Sequence, residues 1–218
     1  MNEENLPKNQ PESLSVASAS EAVEVVSAGA SLSKIAALLK DYDGQSKRAI
    51  PPLEGWNPQV CGSMNLTVRA NGEWWHEGSK INRERLIRLF STVLWREDDG
   101  QYYLKTPVEK LLIEVEDAPL LVTRIEKVCT DGKDYLTCIT QTDDVIVIDA
   151  EHPVFLREYA GEIRPYINVR WNLDALIHRN AFYHLLNEGE FLEQDGQTVV
   201  KFSSGDFEFC LNSEALAE

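Results

Sequence analysis

Three arginines stand beside positions where the sequence predicts that helices begin. Arg83 and Arg179 each stand two positions after an isoleucine. Arg170 ends a predicted strand and stands two residues before a predicted helix cap. A guanidinium group presents a fork of N–H donors, and a helix N-terminus adds further donors and partial positive charge. The pattern therefore favours a site for a phosphate or carboxylate group. Ordinary salt bridges to acidic neighbours are the alternative interpretation.

Three further residues are candidates for ligand binding together with these arginines. Trp171 follows Arg170 directly and offers a flat ring for stacking, although tryptophans in small β-rich domains more often belong to the core. Lys105 and Lys110 lie in the corresponding segment of the first half of the chain, and we expect them to face the same cleft. The predicted ligand-binding residues are thus Arg83, Arg170, Trp171, Arg179, Lys105 and Lys110.

A rival chemistry would use the acidic cluster Asp143, Asp144, Asp149, Glu151 and His152, whose side chains resemble the donors of a divalent metal site. Its spacing matches no recognised metal motif, and we expect structural or solvated roles for these residues. The sequence also lacks the Gly-x-Ser-x-Gly motif of hydrolases and a phosphate-cradling glycine loop. We predict no catalytic residue, no metal and no cofactor, and a metal-assisted hydrolase remains the alternative.

The charge of the chain restricts its partners. Its 36 acidic and 21 basic residues give a formal net charge of −15, so most of the surface would repel a nucleic-acid polymer. No run approaches the length of a membrane span, and Glu3 and Glu4 stand where a secretory signal carries positive charge. We expect a cytoplasmic protein without membrane insertion. Its four separated cysteines are expected to be free, mostly buried thiols.

Four dipeptides mark β-hairpins: Asn71-Gly72, Asp99-Gly100, Asp131-Gly132 and Asp195-Gly196. The expected strands are 65–70, 101–105, 111–116, 120–128, 135–142, 145–148, 163–169, 198–202 and 207–211. Apolar periodicity behind asparagine caps predicts two main helices, over 82–94 and 172–187. The chain is therefore expected to be α+β, with far more strand than helix.

An internal repeat organises these elements. Residues 81–83 align with 177–179 and residues 99–101 with 195–197, which predicts two related units of antiparallel sheet plus helix. We expect domains at 47–117 and 118–218, separated near Asp117-Ala118-Pro119. Residues 1–46 are expected to form a disordered tail with a short helix near 33–41.

Several ordered motifs in the body together resemble the bacterial family called domain of unknown function 1285. They are Trp56-Asn57-Pro58, Cys61-Gly62, residues 81–94, residues 102–110, residues 116–119, residues 149–153 and residues 165–170. The resemblance implies a two-domain α+β structure with a duplicated core and a C-terminal half like pleckstrin-homology folds. It also implies a pocket between the domains, a nucleotide-like ligand and a role in signalling.

We therefore expect a cytoplasmic ligand-binding, regulatory protein rather than an enzyme, with an inter-domain site for an anionic, nucleotide-like ligand. A protein-interaction scaffold without a small ligand is a further alternative, because sheet edges can accept a partner strand. A protein partner is compatible with either interpretation.

Overall fold

A computed structural model describes residues 50–194 and 197–212. The predicted tail at 1–46, with its helix near 33–41, lies outside the described residues, as do Asp195 and Gly196. After a 3-10 turn at Leu53–Gly55, the first half contains β1 (Val60–Val68), β2 (Trp74–His76), β3 (Ser79–Lys80), α1 (Glu84–Thr92), β4 (Leu94–Arg96), β5 (Tyr102–Lys105) and β6 (Glu109–Val115). The second half contains β7 (Leu120–Thr130), β8 (Lys133–Thr140), β9 (Val145–Val147), β10 (Val154–Tyr159), β11 (Glu162–Arg170), β12 (Leu173–Ile177), α2 (Arg179–Asn187), β13 (Glu190–Gln194), β14 (Gln197–Ser204) and β15 (Phe207–Asn212).

The strands form two six-stranded sheets and one three-stranded sheet. The strand orders are β3-β2-β1-β6-β5-β4, β10-β11-β12-β7-β8-β9 and β13-β14-β15. In each large sheet, two antiparallel three-stranded units are joined by one parallel pair, β1 with β6 and β7 with β12. The described part of the chain is thus a two-domain, sheet-rich fold with mixed sheets and two helices of nine residues each.

The predicted hairpins are confirmed for the three described dipeptides, and β13 and β14 pair antiparallel on either side of the fourth. The turn between β7 and β8 shows why Asp-Gly predicts this geometry. Asp131 and Gly132 both have positive φ, +52° and +75°, which aspartate tolerates and glycine adopts without steric cost.

The predicted helix over 172–187 is wrong in its first half. Residues 173–177 form β12, whose side chains alternate between buried and half-buried positions, and the helix begins only at Arg179. Leu173, Leu176 and Ile177 suit the apolar face of a helix as well as a strand, so periodicity alone did not separate the two. β12 is held between β11 and β7, and these tertiary pairings decide the outcome. Arg170 therefore precedes a hairpin turn, not a helix cap.

The helix predicted at 82–94 is shorter than expected, running from Glu84 to Thr92 with Arg83 at the N-cap position. Leu94 already belongs to β4, where it pairs with Leu104. Sequence analysis also missed β10, which pairs with β11 across the turn at Ala160 and Gly161.

The cysteines differ from the expectation of burial. Only Cys138 is buried, whereas Cys61, Cys129 and Cys210 are exposed. Strand residues alternate between the two faces of a sheet, and these three occupy outward-facing positions of β1, β7 and β15. Burial raises the pKa of the Cys138 thiol to about 12, so this thiol stays protonated at neutral pH.

The hydrophobic core is one continuous cluster that includes residues of both halves, such as Leu53 and Phe90 from the first and Ile167 and Phe202 from the second. The sheet β13–β15 packs on β8, where the Leu136 N–H donates to the Ser204 hydroxyl at 3.1 Å. Neither described helix is long and apolar enough to cross a membrane.

Candidate functional site

The two domains meet where the β8–β9 loop contacts the first domain. The Gln141 amide donates to the carbonyl oxygen of Gly72 at 2.9 Å, in the β1–β2 turn. The Arg88 guanidinium of α1 lies 2.8 Å from the Asp143 carboxylate. Both contacts tie the loop at residues 141–144 to the first domain, one to the β1–β2 turn and one to α1.

Arg170 supplies a largely buried link between the domains. Its guanidinium donates to the Asp144 carboxylate at 2.7 Å and to the carbonyl oxygen of Ser91, in α1, at 2.5 Å. Its side chain is 11% exposed and that of Asp144 is 9% exposed. The Asp144 carboxylate also accepts from the hydroxyl groups of Thr140 and Thr142. Arg170, predicted as a ligand residue, is thus occupied in the junction.

Trp171 lies in the β11–β12 turn with φ of +47°, a conformation uncommon for a bulky residue. Its ring packs on Trp95 of the first domain with ring centroids 5.3 Å apart. The Lys105 ammonium also lies over the Trp95 ring, 4.3 Å from the centroid of that ring. Burial lowers the pKa of Lys105, whose side chain is enclosed in the protein. Lys105 therefore contacts the tryptophan pair through Trp95.

A small depression, here called the polar cleft, opens beside Trp171 and has a volume of about 390 Å³. The β4–β5 hairpin of the first domain contributes Arg96, Glu97, Asp98 and Gly100, and the β11–β12 hairpin of the second contributes Asn168, Trp171, Asn172 and Asp174. The polar cleft is therefore formed by one hairpin turn from each domain.

Two of the three carboxylates in the polar cleft have cationic partners. Glu97 lies 3.0 Å from the Lys110 ammonium, and that hydrogen bond lowers the pKa of Glu97. Asp174 lies 3.0 Å from Arg157 and also accepts from the Asn168 amide. Lys110, another predicted site residue, thus does not line the cleft but contacts Glu97, which does.

A larger depression, here called the apolar cavity, has a volume of about 540 Å³. Its apolar lining includes Leu121, Ile163, Ile177, Phe182, Leu186 and Phe191. Arg164, His178, Arg179 and Tyr183 also line it, and Asn71 contributes from the first domain. Arg179 is thus the one predicted site residue on this cavity.

Arg83 lies apart from both depressions. It is an exposed residue at the N-cap of α1 and belongs to the lining of neither. The structure therefore distributes the six predicted residues. Trp171 lines the polar cleft and Arg179 lines the apolar cavity. Lys105, Lys110 and Arg170 line neither, and they contact Trp95, Glu97 and Asp144, respectively. The observed contacts do not bring the three arginines together.

Asp117, in the segment between the domains, is the centre of a buried polar cluster that sequence analysis missed. Its side chain is 1% exposed, and both carboxylate oxygens accept from the Tyr166 hydroxyl, at 2.8 and 2.9 Å. The Arg157 and Arg164 guanidinium groups approach the same carboxylate at 3.5 and 3.4 Å. Arg157 also lies over the Tyr166 ring, 3.9 Å from its centroid. The cluster fixes the segment that joins the domains.

Burial and the neighbouring Asp117 carboxylate raise the pKa of Tyr166 to about 12, above its ordinary value of about 10. A raised folded pKa means that this hydroxyl contributes stability that is fully present below pH 10 and is lost as the pH rises toward 12. We expect the wild-type protein to lose more free energy of unfolding between pH 10 and 11 than Tyr166→Phe does. Urea denaturation at pH 8, 10 and 11 measures the difference.

Tyr183→Phe is the matched control, because Tyr183 is exposed and its hydroxyl accepts a hydrogen bond from Arg179. This variant should follow the wild-type pH profile. Equal profiles for Tyr166→Phe and the wild type would contradict the assignment.

The residues of the rival metal cluster have other partners. Asp149 accepts from the backbone N–H groups of Glu151 and His152 as a turn residue, and His152 Nδ1 lies 3.0 Å from the carbonyl oxygen of Asn168. Across residues 50–194 and 197–212, no three histidine, cysteine or acidic side chains are grouped as metal ligands. Within the described residues, Asp149 and His152 therefore take part in turn and backbone contacts.

The polar-cleft residues that were not predicted lie on two hairpins, in the turns or at the strand ends next to them. Arg96 and Asp98 precede the Asp99-Gly100 turn, whose position was predicted, so the exposure of Asp98 next to that turn was a usable signal. Asp174 was assigned to a helix, and that error concealed its position beside Trp171. No sequence pattern indicates that the two turns meet.

Comparison with known proteins identifies the family. The model described as "Domain of unknown function (DUF1285), N-terminal domain" matches residues 51–118, and "Protein of unknown function (DUF1285), C-terminal domain" matches residues 119–211. No curated protein gives a significant match.

Two solved structures are similar to this chain. A DUF1285 family protein from Silicibacter pomeroyi DSS-3 is 34% identical with a TM-score of 0.68, and the match covers 83% of this chain and 98% of that one. A DUF1285 family protein from Shewanella baltica OS155 is 26% identical with a TM-score of 0.46, covering 57% of this chain and 91% of that one. Since the two family models together match most of the sequence and the first structure is similar over nearly its whole length, the chain belongs to the DUF1285 family.

Proposed function

We propose that this protein binds a nucleotide-like ligand in the polar cleft between its domains and that binding serves a regulatory role. The observation that carries the proposal is the position of Trp171, a flat ring in a hairpin turn at the edge of a cleft formed by both domains. Ligand sites concentrate where rigid elements from two domains converge, and a cleft of about 390 Å³ falls within their usual size range.

The chemistry of the cleft supports a ligand with three parts. The Trp171 ring suits a planar base, since stacking on an aromatic side chain tolerates every base. The Asp98 carboxylate is exposed at the cleft and suits a hydroxyl donor such as those of a ribose. The Arg96 guanidinium suits a phosphate. This assignment replaces the predicted arginine triad with a single arginine, and so favours a monophosphate over a longer phosphate chain.

The regulatory part of the proposal rests on the connections around the cleft. Trp171 is adjacent to Arg170, which donates to Ser91 of α1, and Asp174 contacts Arg157, which lies near Asp117 between the domains. A ligand that contacts both hairpins would therefore favour one arrangement of the two domains over others.

We also propose that the two halves of the chain share a repeated structural unit. We interpret α1 with β4–β6 and α2 with β13–β15 as copies of one unit, because each has a helix, an antiparallel hairpin and a closing strand. The packing of β13–β15 on β8 supports a pleckstrin-homology-like C-terminal half. A cytoplasmic location is supported by four free cysteines in a chain of this length.

Isothermal titration with AMP, adenosine and ribose 5-phosphate tests the proposed site. We expect Trp171→Leu to weaken AMP binding about 10- to 100-fold, because stacking on an aromatic side chain contributes roughly 1–3 kcal/mol per base. Arg96→Gln should weaken AMP binding about tenfold or more and leave adenosine binding unchanged, since only AMP carries the phosphate.

Arg124→Gln is the control for the loss of one positive charge, because Arg124 is an exposed residue of β7 that pairs with Glu126. It should bind AMP as the wild type does. Failure of all three compounds to bind at millimolar concentration would refute the proposed ligand class. AMP binding that is insensitive to both cleft variants would refute the proposed location.

A further inference from the structure

The apolar cavity has an exposed mouth that the proposed nucleotide site does not explain. Ile163, Tyr183 and Phe191 line it and are 45%, 47% and 59% exposed, respectively. Its floor is buried, with Ile177 from β12 and Phe182 from α2. Large apolar side chains that are exposed around a concavity commonly mark a binding site, whereas scattered ones are ordinary.

Positive charge is concentrated at one side of this cavity. Arg164 of β11 and Arg179 at the start of α2 both line it. The Arg179 Nε–H donates to the Tyr183 hydroxyl at 2.9 Å, which holds the guanidinium beside the mouth. In a chain with a net charge of −15, two arginines beside one apolar cavity favour an anion there.

The cavity suits a ligand that carries little negative charge. Among its described lining residues Glu162 is the one acidic side chain, and it lies 2.6 Å from Arg164. That pairing takes up part of the positive charge of Arg164 and disfavours a strongly charged group such as a di- or triphosphate. The deeper lining is aliphatic and aromatic, so the rest of the ligand should be apolar.

We propose that the apolar cavity is a second ligand site, and that it takes an apolar monocarboxylate whose hydrocarbon body lies on Ile177 and Phe182 and whose carboxylate faces Arg179. A volume of about 540 Å³ is within the range of sites that enclose small organic ligands. The apolar body gains affinity by leaving water, and the guanidinium–carboxylate contact orients it. This site is separate from the polar cleft, and neither depends on the other.

Octanoate, 1-octanol and inorganic phosphate are the probes for this proposal, used with the full-length protein in isothermal titration and thermal-shift experiments. Octanoate and 1-octanol share the hydrocarbon chain, whereas phosphate supplies the anion alone. We expect octanoate to bind, to raise the melting temperature, and to bind more tightly than either of the other two.

Three variants locate the site. Arg179→Gln, at an exposed position, should weaken octanoate binding about tenfold or more and leave 1-octanol binding unchanged. Ile163→Asp, in the exposed mouth, should weaken both. Arg85→Gln, an exposed arginine on α1, is the matched control and should change neither.

Each result of these titrations either supports or overturns the proposed site. Weaker octanoate binding in Arg179→Gln, with Arg85→Gln unaffected, supports the proposal. It is overturned if octanoate fails to bind the wild type at millimolar concentration, if phosphate binds as tightly as octanoate, or if Arg179→Gln binds octanoate as the wild type does. AMP binding to these variants is expected to be unchanged, so the two sites can fail independently.

Discussion

Replacing Arg170 by methionine is expected to lower the free energy of unfolding by about 3–5 kcal/mol, the usual cost of breaking a buried ion pair by removing one partner. The methionine roughly keeps the length of the side chain but leaves the Asp144 carboxylate, 9% exposed, without its guanidinium. It also removes the donor to the carbonyl oxygen of Ser91, which is a link between the domains. For a protein of this size the melting temperature should fall by about 10 °C.

Urea denaturation followed by circular dichroism measures the loss for Arg170→Met, Asp144→Asn and the double variant. We expect the double variant to be clearly less destabilised than the sum of the two single variants, because removing both charges leaves no isolated buried ion. Arg124→Met is the control for position, since its exposed pair with Glu126 should contribute less than about 1 kcal/mol.

This experiment also decides between two roles for Arg170. A residue reserved for an anionic ligand would lose ligand affinity on replacement while stability changed little, whereas a junction residue loses stability first. A free energy of unfolding within about 0.5 kcal/mol of the wild type would show that the observed pair with Asp144 contributes little. The predicted ligand role of Arg170 would then regain support.

Much of the fold could be predicted because local chemistry determines it. The Asp-Gly and Asn-Gly turns require positive φ, and they positioned the hairpins correctly wherever the turn is described. The second half of the helix predicted over 172–187 and the strand around Tyr166 follow from apolar spacing. These features depend on residues that are close in sequence.

The errors occurred where distant strands decide the structure. β12 has an apolar pattern compatible with a helix, and it is a strand because β7 and β11 flank it. The parallel pairs of β1 with β6 and of β7 with β12 join strands that are separated by whole units of the chain. No local pattern specifies such pairings, so the sheet orders could not be derived from the sequence.

Only part of the candidate site could be predicted, because contacts between distant segments also determine which residues meet there. Trp171 was identified from its type and its arginine neighbour, and it does lie at the domain junction. The equivalence of Arg83 and Arg179 in the repeat implied a shared site, yet both begin helices that lie in different surroundings. Similar positions in two repeats become neighbours only if the repeats are arranged for it, and that arrangement depends on contacts such as Arg170 with Ser91.

Replacing Gly72 by alanine is expected to destabilise the protein at the domain junction. The loss should exceed that of a glycine-to-alanine change in a turn without close neighbours. Gly72 has φ of +82°, and a Cβ atom there would lie 2.8 Å from Leu121 Cδ2 and 3.0 Å from Leu121 Cβ. Its carbonyl oxygen accepts the hydrogen bond from Gln141 that joins the domains. The alanine therefore adds backbone strain, forces Leu121 away and weakens that hydrogen bond.

Gly78→Ala supplies the matched control, because Gly78 has a nearly identical φ of +76° and a Cβ atom there would meet nothing within 4 Å. We expect it to lose about 1–2 kcal/mol from the positive φ alone. Gly72→Ala should lose about 1–3 kcal/mol more, as overpacking of a buried side chain does. Urea denaturation of both variants isolates the contribution of the contact with Leu121, since the backbone strain is common to both.

Because Leu121 also lines the apolar cavity, Gly72→Ala should weaken octanoate binding relative to Gly78→Ala under conditions where both variants remain folded. A displaced Leu121 narrows or reshapes the apolar surface on which the hydrocarbon chain would lie. Equal stabilities for the two alanine variants would mean that the junction yields at Leu121 without cost. In that case the close approach of the β1–β2 turn to β7 would not contribute to holding the domains together.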